Sequence, residues 1–198
     1  MAETSGKDLR RVEPLDQLPV VQEHNRAFLG LLQARLNAQR PCFGLPAAGR
    51  IAVRSASSEL LDGVAAFPRA LFRLALPFVQ APQRPESEGH PDDAEHDLVL
   101  SMLIAARTTS RQSPYQARLL LELSALEVEQ FRALSLADVQ GLAALPDVLQ
   151  CAFRQRPWFW PGIFGATRPE LRRQLTLMAL QPRLAVDWPR RRAPHASS

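Results

Sequence analysis

Gly63-Val64-Ala65-Ala66-Phe67-Pro68-Arg69-Ala70-Leu71 and, 78 residues further on, Gly141-Leu142-Ala143-Ala144-Leu145-Pro146-Asp147-Val148-Leu149 share the pattern Gly-x-Ala-Ala-x-Pro-x-x-Leu. Extended outward without gaps, residues 43–76 and 121–154 are identical at nine of 34 positions, including Leu45/Leu123, Arg54/Arg132 and Ser57/Ser135. Conservative pairs add Val64/Leu142 and Phe67/Leu145. An apolar stretch precedes each copy, Ala27–Leu36 and Leu98–Arg107. Self-similarity at a fixed offset is the mark of a repeated structural unit. The reading is two related helical modules, in which each proline ends one short helix and starts another.

Composition agrees on helices. The 198 residues include 31 Leu and 28 Ala against 11 Val, 3 Ile and 5 Thr, so straight-chain helix formers dominate β-branched residues. The expected fold class is all-α. From Val20 to Ala38 the apolar residues fall mostly at three- and four-residue steps, giving one stripe on a helix that Pro41 ends. Between Pro77 and His96 lie Pro82, Pro85 and Pro91 among Glu86, Glu88, Asp92, Asp93 and Glu95, a stretch too acidic and proline-rich for a core element. Beyond it, Ser113-Pro114, Ser124 with Glu127 and Thr167 with Glu170 have the spacing of helix N-caps. The implied helices run over about 97–109, 114–123, 125–133, 136–145, 147–155 and 168–180.

The expected organisation is therefore a flexible arm over 1–17, helical module 1 over 18–76, an acidic Pro-rich linker over 77–96 and helical module 2 over 97–155. An aromatic and basic helical extension follows over 156–198.

The formal net charge is only +4, but its distribution is uneven. Residues 1–100 carry 11 basic and 13 acidic groups, whereas residues 152–198 carry 9 basic and 2 acidic. Arg154, Arg156, Arg172, Arg173, Arg190, Arg191 and Arg192 are the candidate nucleic-acid contacts. Cys151, Phe153, Trp158 and Trp160 are candidate interface anchors, although tryptophan and phenylalanine between prolines also serve to pin a loop onto a core.

Several classes of chemistry have no support. With only Cys42 and Cys151, far apart in sequence, neither a disulfide framework nor an all-cysteine zinc site can be built, and both thiols are expected free. His90 and His96 flank acidic residues, but in the stretch least suited to rigid ligation; His24 and His195 read as bystanders, and no metal or cofactor is expected. No phosphate-cradling glycine loop, nucleophile elbow, HExxH or CxxC motif occurs, so an enzyme is not expected. The start lacks the apolar core of a secretory signal, and the longest nearly unbroken apolar run, Leu98 to Ala106, is too short to span a bilayer. A cytoplasmic location with no membrane association is the expectation.

Residues 97–154 open on the apolar stretch Asp97-Leu98-Val99-Leu100-Ser101-Met102-Leu103-Ile104-Ala105-Ala106-Arg107. A polar turn over Thr108–Ser113 follows, then Ala117-Arg118-Leu119-Leu120-Leu121, Leu134-Ser135-Leu136-Ala137-Asp138-Val139-Gln140 and Leu149-Gln150-Cys151-Ala152-Phe153-Arg154. This order of features resembles the bacterial flagellar master-regulator subunit FlhD, the first stretch being similar to that family's leading apolar helix. Residues 27–76 read as a degenerate second copy. Glu122 stands where the family pattern has glycine, which the first copy keeps in Phe43-Gly44-Leu45. The resemblance implies a helical, dimer-forming, non-enzymatic transcriptional regulator that works with a second, DNA-binding, zinc-containing subunit. It also places Cys151 where the family has a cysteine able to bridge subunits. A duplicated module could itself act as a pseudo-dimer, leaving homo-oligomerisation open. The alternative is a helical adaptor with no nucleic-acid role.

Overall fold

A computed structural model describes residues 15–76, 92–166 and 169–180. The chain is mostly helical, with a small two-stranded sheet. The long helix α1 (Leu18–Asn37) is followed by α2 (Ala47–Ser55), α3 (Ser58–Ala65) and strand β1 (Phe72–Leu74). A second long helix, α4 (Asp93–Gln112), leads through α5 (Pro114–Leu120) to α6 (Ala125–Ala133), α7 (Leu136–Ala143) and strand β2 (Leu149–Cys151). Helices α8 (Phe159–Gly165) and α9 (Pro169–Leu180) complete the described chain. Helix α4 begins inside the stretch assigned from sequence to the linker.

The caps show why the short helices start where they do. Ser124 and Glu127 form a reciprocal capping box, the Ser124 hydroxyl accepting from the Glu127 amide at 3.2 Å and the Glu127 carboxylate from the Ser124 amide at 2.7 Å. Ser135 and Asp138 repeat the box at α7. Ser57 and Ser113 cap α3 and α5 through their hydroxyls. Thr167 lies outside the described residues.

Elements recur at the offset seen in the sequence. Moving 78 residues on carries α2 onto α6 and α3 onto α7 with identical bounds. Position 44 and its counterpart 122 both have left-handed backbone, with φ of +76° at Gly44 and +56° at Glu122. Helix α1 packs on α2 and α3 as α4 packs on α6 and α7. One continuous apolar core joins both halves.

The strands correct the expectation of an all-α fold and of a helix over 147–155. Pro68 and Pro146 lead into extended chain. β1 and β2 pair antiparallel, with Phe72 opposite Cys151, Arg73 opposite Gln150 and Leu74 opposite Leu149. Further backbone bonds run from the Ala152 amide to the Leu71 carbonyl (2.9 Å) and from the Cys151 amide to the Phe43 carbonyl (2.8 Å). Left-handed φ at Asp147 (+66°) and Phe153 (+57°) interrupts any helix across the stretch. Tertiary pairing here outranks helix propensity. Shifting by 78 residues exchanges the pair Phe72–Cys151 for Gln150–Arg73, so the ladder maps onto itself about a local two-fold.

Asn25, fully buried on α1, holds β1 in place. Its amide donates toward the carbonyls of Ala65 (3.3 Å), Phe67 (3.4 Å) and Arg69 (2.8 Å), and its oxygen accepts from the Leu71 amide at 2.7 Å. The other end of α1 is tied to the start of α4 by the largely buried Arg35–Glu95 pair and the exposed Arg40–Asp92 pair at 2.8 Å. Replacing Asn25 by leucine keeps the branched shape of the side chain but leaves buried backbone groups without partners. Each such group costs roughly 1–3 kcal/mol. Asn25→Leu is therefore expected to lower the unfolding free energy by about 3 kcal/mol, measured by urea denaturation.

Candidate functional site

The aromatic segment folds back onto the first half of the chain. Helix α8 packs against α2 and α3. Phe153 and Phe159 stack with ring centroids 4.0 Å apart, and both meet Phe67 edge-on, at 5.7 and 5.4 Å. Trp160 is fully buried and its indole donates to the Ala152 carbonyl at 3.0 Å. A Cβ on Gly49 would stand 2.8 Å from the Trp160 Cβ, so α2 admits this tryptophan because it carries glycine there. Trp158 is half-buried against the core. Cys151, Phe153 and Trp160 are thus engaged in the chain's own packing rather than presented at its surface.

The arginines divide into different roles. Arg156 lies over the Phe153 ring at 5.6 Å and donates to the Met178 and Ala179 carbonyls, at 3.1 and 2.8 Å, at the end of α9. Arg154 donates to the Gln150 side chain at 3.0 Å and leans over Gly44. Arg172 reaches Gly63 on α3, and Arg173 is exposed. Arg190, Arg191 and Arg192 lie outside the described residues, as do His90 and His195. Among the described residues no group of three or more His, Cys, Asp or Glu side chains is placed to hold a metal ion, and no helix is long and apolar enough to cross a membrane.

Two arrangements escape a reading along the chain. The first brings the cysteines together: Cys151 Sγ lies 3.6 Å from the Cys42 carbonyl oxygen, and both residues are buried and unbridged. Burial pushes both thiols up from their ordinary range, most strongly Cys151, whose neighbour Cys42 adds to the effect. Cys151 is therefore unavailable for a bridge between subunits without opening the core.

The second is a groove of about 460 Å³ between α1 and α4, lined in part by Glu23, His24, Ala27, Leu98, Ser101 and Ile104. The Val20 carbonyl, 2.8 Å from His24 Nδ1, can only accept, so that nitrogen carries the proton. Nε2 then accepts from the Ser101 hydroxyl at 3.0 Å. This has the hydroxyl–imidazole contact of a nucleophile and its base. Acyl transfer also needs donors for an oxyanion, whereas the amides along these helix interiors are engaged in their own helices. The pair reads as a tie between the two long helices. The repeat held the clue to the groove, since Val20/Leu98, Glu23/Ser101 and Ala27/Ala105 line it at the same offset of 78.

Compared with protein-family models, curated proteins and solved structures, the chain matches none.

Two outcomes follow from these geometries. Burial lowers the pKa of His24 from 6.5, so the unfolded chain binds the proton more readily, and this residue's contribution to stability is complete above that value and lost as pH falls below it. The urea midpoint is expected to drop between about pH 7.5 and 5.5, with a shallower slope in His24→Gln. Native Cys42 and Cys151 are expected to resist a thiol-reactive dye and to react fully in denaturant; rapid labelling of the folded chain would contradict their packing.

Proposed function

We propose that this chain is a non-enzymatic cytoplasmic regulator, built from two related FlhD-like helical modules and acting through contact with a regulatory protein partner. The observation that carries the reading is the recurrence at offset 78. Helices α2 and α6, and α3 and α7, have identical bounds, and the left-handed site that holds Gly44 in one copy falls at Glu122 in the other, where the FlhD-like pattern has glycine. The self-matching strand ladder supports an internal pseudo-dimer. In that arrangement the linker joins two units that a shorter protein would bring together as separate subunits.

Nucleic-acid contact, in this reading, belongs to a complex with the partner, with Arg154, Arg173 and the basic residues toward 192 assisting. A helical adaptor with no nucleic-acid role is the second reading. It is favoured by the burial of Phe153 and Trp160, which removes them as stacking platforms, and by the engagement of Arg156 with the end of α9.

The test is affinity capture of a partner with the tagged full chain, followed by DNA mobility shifts with and without that partner across a salt titration. A stable complex that shifts DNA less as salt rises is the expected result. Salt-independent behaviour, or no shift in either state, removes the nucleic-acid part. A complex indifferent to deletion of residues 189–198 favours the adaptor.

A further inference from the structure

The turn between α1 and α2 gathers arginines from both halves of the chain. Arg50, on α2, donates through Nε to the Leu45 carbonyl at 3.0 Å. Arg154, just past β2, donates to the Gln150 side chain at 3.0 Å and lies over Gly44, its Cδ 3.1 Å from the place a Cβ would take. Gly44 has a φ of +76°, so glycine both makes the turn and leaves room for that arginine. Arg54, one turn further along α2, donates through Nη2 to the Leu36 carbonyl at 2.8 Å, in the last turn of α1. All three arginines are exposed. Each uses one N–H in the bond that places it and keeps its other donors.

Neighbouring arginines are neutralised, Arg35 by Glu95 and Arg40 by Asp92. Among the described residues no carboxylate forms an ion pair with Arg50, Arg54 or Arg154. The second copy lacks the cluster. Arg132, equivalent to Arg54, pairs with Glu129 at 3.0 Å, while Val128 and Leu76, equivalent to Arg50 and Arg154, are apolar and buried. Glu122 stands in the place of Gly44. Unbalanced positive charge on an exposed rim, outside any enclosed pocket, suits an extended polyanion. Arg50 and Arg54 lie about 6 Å apart along the helix axis, and their forked donors match phosphate oxygens. The exposed α2 residues beside them, Ala47, Ala48, Ile51 and Ser55, offer no aromatic anchor for a protein interface and too little apolar surface for a bilayer.

We infer that Arg50, Arg54 and Arg154 form a phosphate-contact site through which helical module 1 holds the backbone of a nucleic acid. This rests on the nucleic-acid part of the proposed function, and it moves the contact from the basic C-terminal quarter to the folded turn after α1. Residues 1–100 carry more acidic than basic groups, so the sequence gives no hint of a positive surface there; only the fold brings Arg154 to the other two. The site meets phosphates alone. It fixes the position of the chain on the duplex and reads no base sequence.

The probe is a fluorescein-labelled DNA duplex of roughly 20 base pairs, titrated with the full chain, alone and with the captured partner, from about 50 to 200 mM salt and followed by anisotropy. Each lost phosphate contact lowers the slope of log K against log salt by about 0.9. Arg50→Gln combined with Arg54→Gln is expected to lower it by about 1.8 and to weaken binding roughly tenfold at the lowest salt; Arg154→Gln lowers it by about 0.9. Arg50→Lys with Arg54→Lys keeps the slope, because the charge stays. Arg132→Gln, whose arginine is already paired, leaves slope and affinity unchanged. Circular dichroism and the thermal midpoint check folding, and should the glutamine pair lower the midpoint, Arg154→Gln carries the same test, since that side chain donates only to Gln150. A native chain that binds with a slope unaltered in these variants, or lowered equally by Arg132→Gln, refutes this site and leaves the nucleic-acid reading intact. No binding by the native chain in either state removes both. Displacement of the duplex by polyglutamate as effectively as by unlabelled duplex of equal charge gives the cluster to an acidic protein and overturns the assignment.

Discussion

The side chain of Asn25 is the constraint on which the arrangement of the two halves depends. An amide with no exposure to water must find partners for its donors and acceptor inside the core. Asn25 finds them in the backbone between Ala65 and Leu71, whose own polar groups would otherwise be buried without helix or sheet to satisfy them. Held in that shape, the chain leaves α3 extended and delivers Phe72 and Leu74 to the partner strand. The sheet, the contact between halves and the seat of the aromatic segment all follow from where that loop is fixed.

The repeat was legible because it records local rules. Serines 57 and 135 cap helices in both copies, and the bounds of α2, α3, α6 and α7 follow the offset read from the sequence. The strands were illegible for a physical reason. Three residues carry no periodicity that separates strand from helix, and their extended form comes from partners more than seventy residues away. The same holds for the candidate site. The arginine and aromatic run was visible, but whether Trp160 faces solvent or core depends on Gly49, over a hundred residues earlier. The meetings of Cys42 with Cys151 and of His24 with Ser101 likewise exist only in three dimensions.

Positions 78 residues apart also make divergent contacts. At equivalent positions, Gly49 makes room for an indole, whereas Glu127 is buried, caps α6 and pairs with Arg73 of β1 at 3.0 Å. Burial alone would raise the Glu127 pKa, yet the amide and hydroxyl of Ser124 together with Arg73 hold it below the usual carboxylate range. The same site on the framework thus receives a tryptophan in one half and anchors a strand of the other half in the second.

The sheet has a consequence for the order in which the molecule is made. The residues that complete the first half arrive late: its strand waits for Leu149–Cys151, and Phe67 waits for Phe153 and Phe159. During synthesis the first 76 residues leave the ribosome with these apolar surfaces still without their partners. Closing them requires a loop of more than seventy residues, which places the slow, non-local step after residues 149–159 have been made rather than within either half.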